Sequence, residues 1–180
     1  MKQRIVSVDF DGVIIQKTFH RDFVNQGKKS PKKHGLLSEV VNRLDLYWTT
    51  INQNWRHPVI NSDEGLKKFR AKGYEVVMLT SRKSYLRATT ISWVKKWNYF
   101  ELYDKFYFNN TFIGSADSKV LNVGKVGPEI HIDDNWTTIV QLAGNFPKMR
   151  LWFLGEKHKN SKYKNIEQFR NWKEIVENIR

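Results

Sequence analysis

Ile5-Val6-Ser7-Val8-Asp9-Phe10-Asp11-Gly12 is a short β-branched run that stops at two carboxylates two residues apart. Four apolar-patterned residues are too few for a helix, and the glycine that follows marks a turn, so residues 5–8 read as a buried strand. Gly12 lets the backbone turn sharply away. Asp9 and Asp11 then project from the carboxyl end of that strand toward one place.

The same pattern recurs downstream. Residues 74–79, 105–108, 130–132 and 150–154 are short β-branched and aromatic runs, read as four further strands. Helical patterns lie between them. Asn61-Ser62-Asp63-Glu64 reads as the N-cap region of a helix reaching Lys72 and closed by Gly73. Ser84 to Trp97 and Trp136 to Ala143 read as two more helices. The last is expected from Ile166 to Ile179, with Ile166, Phe169, Trp172, Ile175, Val176 and Ile179 on one stripe. Alternation of this kind predicts an α/β fold, a parallel sheet of about five strands covered by helices on both faces. Sites in such folds lie at the carboxyl ends of the strands.

Residues 16–60 break the alternation. A basic loop is followed by a helical stretch from Leu36 to Trp55, so this segment reads as a small helical insertion after strand one, within a single domain over residues 1–180. Trp48 and Trp55 are seven residues apart, a helical spacing. Packing is the expected reason for them, and stacking on substrate is the lesser reading.

Composition narrows the function classes. The 180 residues include no cysteine, which excludes disulfides, thiolate metal sites and a cysteine nucleophile. The five histidines show no metal-ligand spacing, and His131, inside a strand, is expected to be packed and hydrogen-bonded. No apolar run is long enough to span a membrane, and no signal-peptide pattern opens the chain, so a soluble cytoplasmic protein is expected. Lys and Arg number 31 against 18 Asp and Glu, a net charge of +13 spread over the whole length. The densest patches are residues 28–34 and 157–164. Such a field favours anionic partners, from phosphorylated metabolites to nucleic acid.

The other strand ends carry chemistry too. Strand two ends in Thr80-Ser81-Arg82, two hydroxyls and a guanidinium, and strand four in Asp133-Asp134-Asn135. Lys119 precedes strand four, with Lys125 as its rival. Four clustered carboxylates repel one another unless a cation lies between them. Oxygen ligands with open positions suit Mg²⁺, and a lysine and hydroxyls beside it suit a transferring phosphoryl group. One carboxylate can attack phosphorus while a second works as acid and then base.

These residues resemble the motifs of the haloacid dehalogenase (HAD) superfamily of phosphohydrolases, over about residues 1–15 and 60–155. The family's DxDG matches Asp9, Asp11 and Gly12, and its strand-ending hydroxyl matches Thr80. Its lysine fits Lys119, and its paired acids match Asp133 and Asp134. The resemblance implies a Rossmann-like three-layer sandwich with strand one between strands two and four, and a small C1-type cap in the insertion. It implies Asp9 as nucleophile and Asp11 as general acid/base. Thr80, with Ser81 and Arg82, would bind phosphate, and Lys119 would neutralise charge. Asp9, Asp11, Asp133 and Asp134 would hold Mg²⁺. The sequences Thr80-Ser81-Arg82 and Ile132-Asp133-Asp134 are similar to the small 5′(3′)-deoxyribonucleotidase group, which points to a nucleotide or other small phosphomonoester as substrate. A phosphatase of DNA or RNA 3′ ends is the alternative, and a catalytically silent module that binds nucleic acid or protein is the second. The oligomeric state stays open.

Overall fold

The computed structural model describes residues 3–17, 36–111, 114–158 and 162–179, with the side chains of the first helix described from Arg43 onward. The basic stretch at 28–34 lies outside the described residues, as do residues 159–161 of the second one. The chain runs β1 (Ile5–Val8), α1 (Leu36–Asn54), α2 (Ser62–Ala71), β2 (Glu75–Lys83), α3 (Arg87–Lys96), β3 (Lys105–Asn109) and α4 (Ser115–Val126). It continues through β4 (Ile130–Asp133), α5 (Trp136–Asn145), β5 (Arg150–Leu154), β6 (Ile166–Phe169) and α6 (Trp172–Asn178).

The strands form one parallel sheet in the order β3-β2-β1-β4-β5-β6. The central strands are buried on both faces, which is why they read as almost unbroken apolar runs. One face packs Val6, Val8, Val76, Met78, Ile130 and Ile132 against Leu66, Phe69, Trp93, Trp172 and Ile175 from α2, α3 and α6. The other packs Leu79, Leu151 and Phe153 against Val123, Ile139 and Leu142 from α4 and α5. The result is three layers. Strand order reverses at β1, because β2 lies on one side of it and β4 on the other. That reversal opens a crevice at the carboxyl ends.

Three expectations are corrected. The sheet has six strands, and residues 166–169 are β6 rather than the first turn of the last helix. Asn171 explains the break. Its side chain accepts a hydrogen bond from Glu174 N at 3.1 Å, and Glu174 in turn accepts from Arg170 N at 2.9 Å. These two bonds cap the start of α6 where the apolar stripe alone suggested continuity. Trp48 and Trp55 do not pack, being 63% and 81% exposed. The helix expected over 84–97 opens with a 3₁₀ turn at Ser84–Leu86, because β2 runs on to Lys83 through an irregularity after Leu79. Among the described residues no helix is long and apolar enough to cross a membrane.

Candidate active site

Sheet register sets the site. Val8 on β1 is level with Met78 on β2 and Ile132 on β4. The next residues on β1 and β4 are therefore Asp9 and Asp133, side by side at the carboxyl edge. Asp9 N donates to Ile132 O at 2.9 Å, which fixes the chain as it leaves β1. Asn135, one residue beyond Asp134, caps α5 by accepting from Thr138 N at 3.1 Å. Neither Asp133 nor Asp134 serves as that cap.

Lys119 reaches the edge from α4 and is buried. Its Nζ lies 2.7 Å from Asp9 Oδ2 and 2.5 Å from Asp133 Oδ2. Lys125 is exposed farther along α4, so geometry selects Lys119. Burial works against the Lys119 charge, yet Asp133 and Asp9 outweigh it and raise its pKa. For Asp133, burial opposes ionisation, but Lys119 and the His131 hydrogen bond dominate and hold its carboxyl below the usual range. Asp9 goes the other way. Its burial, together with repulsion from Asp133 and Asp134, exceeds the help of Lys119 and pushes it up to about 8.

His131 behaves as a packed residue. Its Nδ1 is 2.8 Å from Ser7 Oγ and its Nε2 3.3 Å from Asp133 Oδ2, and burial lowers its pKa. Asp133 is thereby surrounded by protein donors, since Asn135 N also donates to its Oδ1 at 2.8 Å.

Asp134 sits against the turn after β1. Lys17 Nζ lies 2.6 Å from its Oδ2, and burial raises its pKa. Gly12 has φ +80°, and a Cβ there would fall 1.9 Å from Asp134 Oδ2. Only glycine fits this close approach.

Asp9, Asp133 and Asp134 offer carboxylate oxygens that all lie within 4.8 Å of one another. Asp9 Oδ1 is buried with no hydrogen-bond partner among the described residues. A buried orphan acceptor inside a cluster of acids is a place for a cation, and an all-oxygen donor set fits Mg²⁺. Because donors already fill both oxygens of Asp133, Asp9 and Asp134 are the better placed ligands.

Asp11 is gripped on the cap side. Arg82 Nε donates to its Oδ2 at 2.6 Å and Arg82 Nη2 to its Oδ1 at 2.8 Å, while Arg56 Nη1 donates to Oδ1 at 2.9 Å. Arg82 Nη1 donates to Gln53 Oε1 and, at 3.1 Å, to Thr90 Oγ1. Arg82, expected at the phosphate, is instead buried against Asp11. Thr80 is buried at the same strand end, its Oγ1 accepting from Arg82 N at 3.2 Å, and Ser81 is half-buried beside it. Sequence reading missed Gln53, Arg56 and Lys17. All three come from the insertion, where nothing local marks which residues the helix turns toward the sheet.

No protein-family model matches the chain, and no curated protein matches it in sequence. Solved structures do match its fold. A HAD-superfamily hydrolase from Ehrlichia chaffeensis superposes with TM-score 0.60 at 15% identity, over 99% of this chain and 97% of that one. A haloacid dehalogenase-like family protein from Streptococcus pneumoniae gives 0.64 at 12%, over 97% and 98%. A HAD phosphatase from Thermococcus onnurineus gives 0.61 at 13%, over 97% of each chain. With its carboxylates and lysine gathered at the strand-order reversal, the chain has the Rossmann-like fold of the HAD hydrolases.

Proposed function

We infer that the protein is a Mg²⁺-dependent phosphatase working through an aspartyl-phosphate on Asp9. The observation that carries this reading is Lys119 Nζ set between Asp9 and Asp133 while Asp9 Oδ1 stays unpartnered among the described residues. The two oxygens of this buried carboxylate divide the work, Oδ1 being left for the cation and Oδ2, held by Lys119, for attack. Asp9 and Asp134, with Asp133 behind them, would hold Mg²⁺, which when bound supplies positive charge against the phosphoryl oxygens.

An Asp9 oxygen attacks phosphorus and the ester P–O bond breaks, with the leaving oxygen taking a proton from Asp11. Water then attacks the phosphorus of the aspartyl-phosphate and gives its proton to Asp11. The bond to Asp9 breaks and inorganic phosphate leaves. Lys119 offsets the anionic charge beside Asp9 throughout. Arg82 and Arg56 hold the Asp11 carboxyl in orientation beside Asp9. Thr80 and Ser81 are the hydroxyls available to the phosphoryl group. The insertion acts as a small cap, since Gln53 and Arg56 reach the site from α1 and just beyond it. The substrate class is a phosphomonoester of a nucleotide, free or at a chain end, in keeping with the Thr80-Ser81-Arg82 and Ile132-Asp133-Asp134 sequences.

The test is phosphate release from an aryl phosphate and from 5′- and 3′-nucleoside monophosphates, with Mg²⁺, with EDTA and with Asp9→Asn. Turnover that needs both Mg²⁺ and Asp9 supports the reading. Folded protein that releases no phosphate from any of them overturns it.

A further inference from the structure

Helix α1 exposes an apolar face. Leu44, Tyr47, Trp48 and Ile51 recur on it at helical spacing, Trp55 follows just past its end, and every one of them is exposed. Tyr47 is 67% exposed. The opposite face packs. Thr50 Oγ1 lies 3.3 Å from Thr89 Oγ1, and Gln53 Nε2 donates to Thr89 O at 2.7 Å. Three of the five exposed residues are aromatic, and the four on the helix itself run roughly 10 Å along its axis at 1.5 Å per residue.

Charge around this face is one-sided. Residues 46–62 contain no acid, and neither do residues 76–100, whose exposed cations are Arg87, Lys95 and Lys96. Helix α3, from this second stretch, packs beside α1, and Lys96 Nζ donates to Asn54 O at 3.2 Å. Tyr85, itself partly exposed, donates to Asp45 Oδ2 at 2.6 Å, engaging the acid of this part of α1. Aromatic rings in a row beside a surface where cations outnumber acids are complementary to unpaired bases on a phosphate backbone. A second copy of this chain would bring the same positive charge and be repelled. The face also ends at the catalytic edge, because Trp55 adjoins Arg56, which bonds Asp11.

We propose that single-stranded nucleic acid binds along this face of α1, its bases stacked on Tyr47, Trp48 and Trp55. Resting on the phosphatase reading, this makes the substrate the phosphorylated end of such a strand, delivered past Arg56 to Asp9. Binding is separable from turnover, which allows each to fail alone.

The test uses a fluorescein-labelled oligothymidylate and its oligouridylate counterpart, both without terminal phosphate, read by anisotropy across a salt series. Affinity should fall steeply as salt rises. Trp48→Ala and Trp55→Ala should each weaken binding about tenfold, with circular dichroism and melting unchanged because both side chains are exposed. The double variant should lose turnover of a 3′-phosphorylated oligonucleotide and keep that of an aryl phosphate. No anisotropy change at low salt, or equal affinity in the double variant, overturns the proposal. So does a dimer that the double variant dissociates while oligonucleotide binding persists. Binding without aryl-phosphate turnover upholds this surface and overturns only the reading of the active site.

Discussion

Arg82 holds Asp11 through two parallel hydrogen bonds, Nε to Oδ2 at 2.6 Å and Nη2 to Oδ1 at 2.8 Å. The guanidinium is buried and bonded to Gln53 and Thr90 besides. A planar fork of this kind fixes a carboxylate in orientation, and an ammonium cannot reproduce it. Arg82→Lys should therefore lower kcat on an aryl phosphate by about ten- to a hundredfold, a part of what acid–base catalysis supplies, with KM little changed. Steady-state kinetics check this, with Arg56→Lys giving a smaller loss in the same direction.

Gly12 carries the second prediction. An alanine there would meet Asp134 Oδ2 at 1.9 Å and adopt φ +80°. Gly12→Ala should push Asp134 away and weaken Mg²⁺ binding by tenfold or more. Calorimetric titration of the folded variant with Mg²⁺ measures it, and unchanged affinity would remove Asp134 from the ligand set.

Asp9 gives a pH dependence in the metal-free protein. Its carboxyl is raised from 3.8 to about 8 by burial and by its acidic neighbours. Between those values the unfolded chain has lost a proton that the folded chain keeps, so this group's stabilising contribution declines as pH rises across that window. Asp9→Asn has no such titration. The variant should melt higher than the parent without metal, and by a wider margin at pH 8 than at pH 5. Added Mg²⁺ should stabilise the parent and leave the variant nearly unchanged. Thermal melts at the two pH values, with and without Mg²⁺, decide it.

A fourth prediction concerns packing alone. Gly65 lies inside α2, where alanine is normally the better helix former. A Cβ at this position would fall 2.4 Å from the Trp172 ring, which is fully buried and tied to Val13 O by a 2.7 Å hydrogen bond. Gly65→Ala should destabilise the fold by about 2 kcal/mol through overpacking, against the sign that helix propensity suggests. Urea denaturation measures the difference.

Much of the molecule was legible in the chain because its signals are local. Each buried strand is a compact apolar run, and the acids, hydroxyls and lysine follow or precede such runs at readable positions. The five expected strands are present, and Asp9, Lys119 and Asp133 meet at one edge. The sixth strand was hidden because Ile166 and Phe169 continue the helical stripe of Trp172 and Ile175, and a period of three to four residues reads as helix. Asn171 with Glu174, three residues on, was the signal that separates strand from helix.

The residues of the insertion were not legible in the same way. Trp48 and Trp55 share a helical face in any reading, but the sequence does not say whether that face meets the sheet or solvent. The packing of α1 on α3 turns Gln53 inward and leaves both tryptophans out. Arg82 illustrates the same limit, since its place after Thr80-Ser81 suggested phosphate and its fold neighbours made it the partner of Asp11. Periodicity and turn chemistry depend on neighbours along the chain, so the strands and the acids at their ends could be read directly. Which charge pairs with which, and which helix face is covered, depends on residues such as Gln53, Arg56 and Arg82, distant in sequence, meeting after the chain has folded.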